Sequence, residues 1–199
     1  MPDALGTAIT NTNSNSCVIV RTDRLCKPWR LSNNGYTFMA VWESGVVNGI
    51  NHKGLPVVDG FIVKVYDDGY HIPTVGLGHK VLPQDNLHPG DVISVQRARD
   101  FFEVNLRPVE RIINNDVNVP LYQHEYDALV SILFNSGPYK HEGDPWYPET
   151  RSHHLASFLN RGEFNRMRDV IRGFVASRVP NRRRVESRLF ESGNYDASH

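Results

Sequence analysis

No apolar run in this 199-residue chain approaches the roughly twenty residues a helix needs to cross a bilayer. The first sixteen residues are small and polar, without the charged start and apolar core of a secretory signal. The sequence therefore predicts a protein made in the cytoplasm without membrane insertion, and any action outside the cell would depend on an export route of other origin. Lysine plus arginine number 22, as do aspartate plus glutamate, for a formal net charge of zero. That balance removes any broad electrostatic reason to bind nucleic acid. Cysteine is scarce: Cys17 and Cys26 stand alone with no C-x-x-C pair, and without an export signal both are expected as reduced thiols. Nine histidines are present, yet His52, His71, His79 and His88 lack ligand spacing and the adjacent His153 and His154 face different sides of a helix. Neither a metal nor another cofactor is implied. Internal repeats are absent too. Glutamate is nearly missing from the first half, where Glu43 is the sole one before Glu103.

What is present can fold. A hydrophobic content of 40% over this length suffices for one sizeable core, divided into two lobes. Residues 1–31, with the tract Thr10-Asn11-Thr12-Asn13-Ser14-Asn15-Ser16, read as a polar extension or linker, and 32–199 as the folded domain. Ser32 suits the N-cap of a short helix ending near Ser44, with Phe38, Val41 and Trp42 on one face. Residues 55–82 read as strands and turns. A helix follows from Ser94, which Pro108 should kink or break. Tyr122 to Asn135 reads as the most buried helix, ending near Gly137, and further helices cover 154–159, 167–174 and 182–190. Arg161, Arg166, Arg168, Arg172, Arg178 and Arg182-Arg183-Arg184 make the last quarter basic, a pattern read as solvated helix surface for all but Arg182. The segment 138–148, holding Tyr139, Trp146 and Tyr147 among prolines, supplies either a stacking wall for sugar rings or core packing.

The most informative stretch runs from Tyr66 to His79: Tyr-Asp-Asp-Gly-Tyr-His-Ile-Pro-Thr-Val-Gly-Leu-Gly-His. It joins a carboxylate pair to a glycine-rich strand and turn. One Glu with one Asp suggests glycoside hydrolysis, in which one carboxylic acid protonates the leaving oxygen while a second carboxylate positions water or attacks the anomeric carbon. Glu43 lies among Phe38, Met39, Val41 and Trp42, and apolar surroundings favour the protonated acid. Asp68, in a polar turn, suits the ionised role. Locally, a surface Glu and an ordinary Asp-Gly turn explain the same residues.

Tyr66, Asp68, Thr74, Val75, Gly76, Gly78 and His79 resemble the signature of the phage-type, T4-like lysozymes and endolysins of glycoside hydrolase family 24. Gln123, Asp127 to Ser131, Phe134-Asn135 and Gly137 resemble that family's central helix, and Val179 to Val185 with Phe190 to Gly193 its C-terminal helix. The resemblance covers roughly residues 32 to 196. It implies an α+β, lysozyme-like fold with a small β-rich lobe, a larger helical lobe and the active-site cleft between them. It further implies a peptidoglycan muramidase with Glu43 as general acid, Asp68 as the carboxylate that positions water and Thr74 as a hydroxyl beside that water; Asp67 is the runner-up. His79 and Arg182 are implied as supporting groups, with Arg182 pairing the catalytic Glu. Asn135 either binds sugar or caps its helix.

One departure stands out. Glu43 and Asp68 are twenty-five positions apart, a much wider gap than the family usually has, with the extra chain in 45–60. Phe61, Val63 and Val65 alternate with Ile62, Lys64 and Tyr66 between Asp59-Gly60 and Asp68-Gly69, which predicts a lengthened β-hairpin whose ends stay close. This insertion would either line the substrate cleft, with Asp59 a lesser acidic candidate, or decorate the surface. Two settings fit a monomeric wall-degrading enzyme: a phage endolysin released through a holin, or an exported antibacterial effector matched by an immunity protein. A non-catalytic peptidoglycan-binding module of the same fold is the alternative from another class. A lytic transglycosylase is disfavoured by Asp68 and Thr74, which suit a positioned water.

Overall fold

The computed structural model describes residues 6–9, 19–22 and 24–198; Cys17 and the Thr10–Ser16 tract lie outside them. The described chain forms two compact units: one from Asn33–Val109 with the tail from Tyr195, the other from Glu110–Asn194 with the chain leading to Ser32. Near the start, β1 (Gly6–Ile9) pairs antiparallel with β2 (Ile19–Thr22).

The first unit is built on a five-stranded antiparallel sheet in sequence order: β3 (Gly49–Ile50), β4 (Pro56–Val58), β5 (Phe61–Asp67), β6 (Pro73–Gly76) and β7 (His79–Lys80). The hairpin expected from the insertion is therefore present as β3 and β4, which hand the chain to β5 through the Asp59-Gly60 turn. Between Ile62 and Tyr66 the β5–β6 register shifts, because the bulged residues Val63 and Val65 bond instead to Asp91, Gly90 and Ile93. That second partner explains why β5 is buried at Phe61, Ile62, Val63 and Val65 rather than at every other position.

Helix α1 (Asn33–Ser44) buries Phe38, Met39 and Ala40. A Cβ on Gly60, which has φ of 82°, would stand 2.5 Å from the Ala40 Cβ, so glycine there permits both the turn and close approach to the helix. Tyr36, Phe61 and Phe102 form an aromatic cluster with centroids 5.6 to 6.2 Å apart. Burial foremost pushes the Tyr36 phenol up to about 12.

Helix α2 (Val95–Asp116) begins after Ser94, whose hydroxyl accepts the Arg97 amide at 3.2 Å. It runs on through Pro108 rather than breaking there. The carbonyl deprived of its donor belongs to Val104, on an exposed part of the helix, while Leu106, Val109 and Ile113 bury the other face and hold the segment helical.

In the second unit, α3 (Gln123–Ser136) is buried continuously from Glu125 to Leu133 and packs against α6 (Pro180–Ser192), which packs in turn on α5 (Met167–Gly173), with α4 (Arg151–Asn160) beside α5. Thr150 caps α4 by accepting the His153 amide, Pro180 opens α6 and Gly193 closes it in the left-handed region. The chain ahead of α1 belongs to this unit's core: Trp29 is 2% exposed, its amide donates to Asn114 Oδ1 at 2.8 Å and its indole to the Leu25 carbonyl at 3.0 Å. Arg24 binds Glu125 through both carboxylate oxygens, and Ser32 donates to Asp127. Cys26 is exposed with a free thiol. Among the described residues, no helix is long and apolar enough to cross a membrane.

Candidate active site

Helix α1 delivers Glu43 in its last turn, half-buried. The exit is locked by Ser44, whose hydroxyl donates to the Ala40 and Val46 carbonyls at 2.6 and 2.8 Å. From the sheet, β5 brings Tyr66 opposite Thr74 of β6, so their side chains share one face. Thr74 is 4% exposed and donates to the Ile72 carbonyl at 3.1 Å, which leaves its oxygen able to accept.

The two adjacent aspartates are not equivalent. Asp67 spends one oxygen on the amides of Gly69 and His71, at 2.7 and 3.0 Å, and the other on the His71 ring at 3.2 Å. The Gly69 amide chiefly holds its carboxyl below the usual range. It is an exposed organiser of the turn. Asp68 is half-buried, and its Oδ1 accepts the amides of Tyr70 and Ile72 at 2.7 and 3.3 Å. Its second oxygen has no protein hydrogen bond among the described residues, as a carboxylate that holds water requires.

Tyr66 lies opposite Thr74 and two residues before Asp68. Burial first, and then the charges of Glu43 and Asp68, push its phenol above the ordinary value. Glu43 and Asp68 belong to the same compact unit, despite the twenty-five positions between them. Tyr66 entered the sequence reading only as part of the motif; its place two residues before Asp68 was the available signal.

His79 is 8% exposed and held on three sides: Nε2 lies 2.9 Å from Asp85 Oδ2, Nδ1 lies 3.4 Å from the Asn105 amide nitrogen, and the ring stacks on Phe101 at 4.0 Å. It fixes the end of the sheet to the following turn and to α2. At Asp85, burial raises the carboxyl but is outweighed by the Leu82 amide, His79 and Arg97, which together lower it. A depressed carboxyl contributes stability above its unfolded value, about 3.9, and loses it as pH falls through the lower folded value. Urea unfolding of Asp85→Asn against wild type should show a stability deficit that is constant above about pH 5 and shrinks as pH falls below about 4.

The remaining expected residues belong to the helical unit. Arg182 is 4% exposed; its Nε donates to Glu186 Oε1 at 3.0 Å, and Nη2 approaches the Ser131 carbonyl and hydroxyl at 3.5 and 3.4 Å. Glu186, fully buried, also accepts from the Ser131 hydroxyl at 2.7 Å and from Arg183. Asn135 is exposed and its Oδ1 accepts from Arg183 Nη2 at 2.8 Å. Arg183 corrects the sequence reading: expected on the surface, it is 0% exposed and donates to the Phe174 carbonyl at 2.8 Å as well. Burial foremost lowers the pKa of its guanidinium, against the pull of Glu186. Glu186, spaced three and four residues after the two arginines, was the signal for burial. In the 138–148 segment, Trp146 stacks on His154 and Phe174 at 4.0 and 5.1 Å, while Tyr139 and Tyr147 stay exposed.

Residues 57–186, about two thirds of the chain, match the model of the phage lysozyme family. The chain belongs to that family. The matched span includes Asp68, Thr74, His79, Asn135 and Arg182 and begins after Glu43. Among curated relatives, the endolysin of Salmonella phage P22 is 37% identical over 91 residues, which are 45% of this chain and 61% of that protein. The chain thus spans about three fifths of that relative's length. Among solved structures, the endolysin from Escherichia coli O157:H7 phage FAHEc1 superposes with a TM-score of 0.64 at 19% identity, covering 84% of this chain and 97% of that one. A P22 lysozyme mutant gives 0.59 at 26% identity, covering 82% and 99%. The fold is lysozyme-like α+β, as the family resemblance implied.

Proposed function

We propose that this chain is a peptidoglycan muramidase hydrolysing the β-1,4 bond between N-acetylmuramic acid and N-acetylglucosamine. Glu43 protonates the leaving glycosidic oxygen. Water adds to the anomeric carbon as that bond breaks, its proton passing to Asp68, with Thr74 orienting the water. The observation that carries the reading is the β5–β6 hairpin, whose turn sets Asp68 with one oxygen left open on the way to Thr74, with Glu43 in the same compact unit. Family membership and the fold support it. The reading entails delivery to the wall, either through a holin or by a secretion machine with an immunity protein in the producing cell.

The test is reducing-end release from purified peptidoglycan by wild type and Asp68→Asn, with mass spectrometry of the products. Wild type is expected to release hydrated muramic ends, and the variant to fall by about 100-fold. Products closed by an anhydro ring would replace hydrolysis with transglycosylation. Binding to wall without turnover would make the protein a recognition module.

A further inference from the structure

The inserted chain between Glu43 and the sheet is fixed with unusual economy by one side chain. Asn51 is 6% exposed. Its Oδ1 accepts the amides of Lys53 and Leu55, both at 3.0 Å, and its Nδ2 donates to the Ser44 carbonyl at 2.9 Å. Its own backbone closes the turn by bonding Leu55 and Gly54 at 3.0 and 2.9 Å. The turn is therefore tied to the residue directly after Glu43, and the close approach of Gly60 to Ala40 ties the other end of the insertion to the same helix.

This clamp places Lys53 over the Tyr66 ring, with Nζ 5.6 Å from the centroid. Tyr66 lies opposite Thr74 across the β5–β6 pair and two residues before Asp68. The Lys53 side chain is exposed, and among the described residues its ammonium makes no ion pair. An exposed ammonium over the ring of Tyr66, unpaired among the described residues, is available to a ligand. Peptidoglycan differs from uncharged glycans in carrying peptide substituents with free carboxylates, and an ammonium at the edge of the reacting centre suits such a group.

We propose that Lys53 is a substrate-positioning residue that binds a carboxylate of the peptide substituents, so that the inserted hairpin confers preference for peptide-bearing glycan. This rests on the muramidase reading above. The experiment compares wild type, Lys53→Met and Lys53→Arg on purified peptidoglycan and on the same material with its carboxylates amidated by carbodiimide and ethanolamine. On native substrate Lys53→Met should raise KM about threefold to fivefold, the size expected of an exposed ion pair, with kcat within about twofold of wild type. The difference should fade as salt is raised, vanish on amidated substrate and be absent in Lys53→Arg. An unchanged KM in Lys53→Met, or the same rise on native and amidated substrate, overturns the assignment while leaving the muramidase intact. A wild type that turns over neither substrate removes the muramidase reading and the assignment with it.

Discussion

Replacing Glu43 with Gln should reduce reducing-end release by about 10³-fold while leaving the circular dichroism spectrum and the unfolding midpoint close to wild type. The amide preserves the size of the side chain in the last turn of α1 and removes only the proton that the leaving oxygen needs. Glu43 lies outside the span that matches the family model, so this variant tests the one assignment that depends on the structure joining the two sides of the insertion. Asp67→Asn is the natural control. Because Asp67 is committed to Gly69 and His71, its loss should loosen the turn and lower activity far less than loss of Glu43. A variant of Glu43 that keeps most of its activity would move the acid elsewhere, with Asp59 the next carboxylate to examine.

Glu186→Ala should lower stability by about 3–5 kcal/mol, the range for deleting one member of a buried charge pair. The carboxylate is 0% exposed and serves Arg182, Arg183 and Ser131 at once. Among the described residues, its removal leaves the wholly buried Arg183 guanidinium with the Phe174 carbonyl and Asn135 as acceptors. Urea unfolding measures the effect, and the slope of the transition should be unchanged if the native core stays compact. Glu186→Gln, which keeps an acceptor for Ser131, should lose less. A loss below about 1 kcal/mol would mean that water reaches the network.

Much of this architecture was legible because local chemistry and tertiary packing agree. The apolar face of α1, the buried run of α3 and the turn signals bounding β5 each point to the element observed. The candidate site was legible where it is local, since Asp68 and Thr74 sit on one hairpin. The break offered for Pro108 is absent because the missing amide hydrogen bond matters less than the burial on either side of it. Arg183 was misread because charge patterning describes solvation, whereas its burial depends on a carboxylate one turn further along α6 and on acceptors from α3 and the Phe174 backbone. Asn51 was invisible as a clamp: an asparagine in a turn is ordinary, and only the three-dimensional position of Ser44 gives its amide a partner.

The way β3 and β4 fold back on each other has a consequence for how such proteins are found. Closing a longer loop adds only a logarithmic entropic penalty, and here the added residues pair with one another rather than wander, so the chain between the end of α1 and the sheet lengthens while the ends of the ribbon stay together. A fixed-gap pattern loses whatever precedes the ribbon as soon as the ribbon lengthens, and the family match here begins after Glu43. A search template for this chemistry is better written as two rigid fragments, a helix end bearing Glu and a strand-turn-strand bearing Asp and Thr, joined by a gap of any length that returns antiparallel.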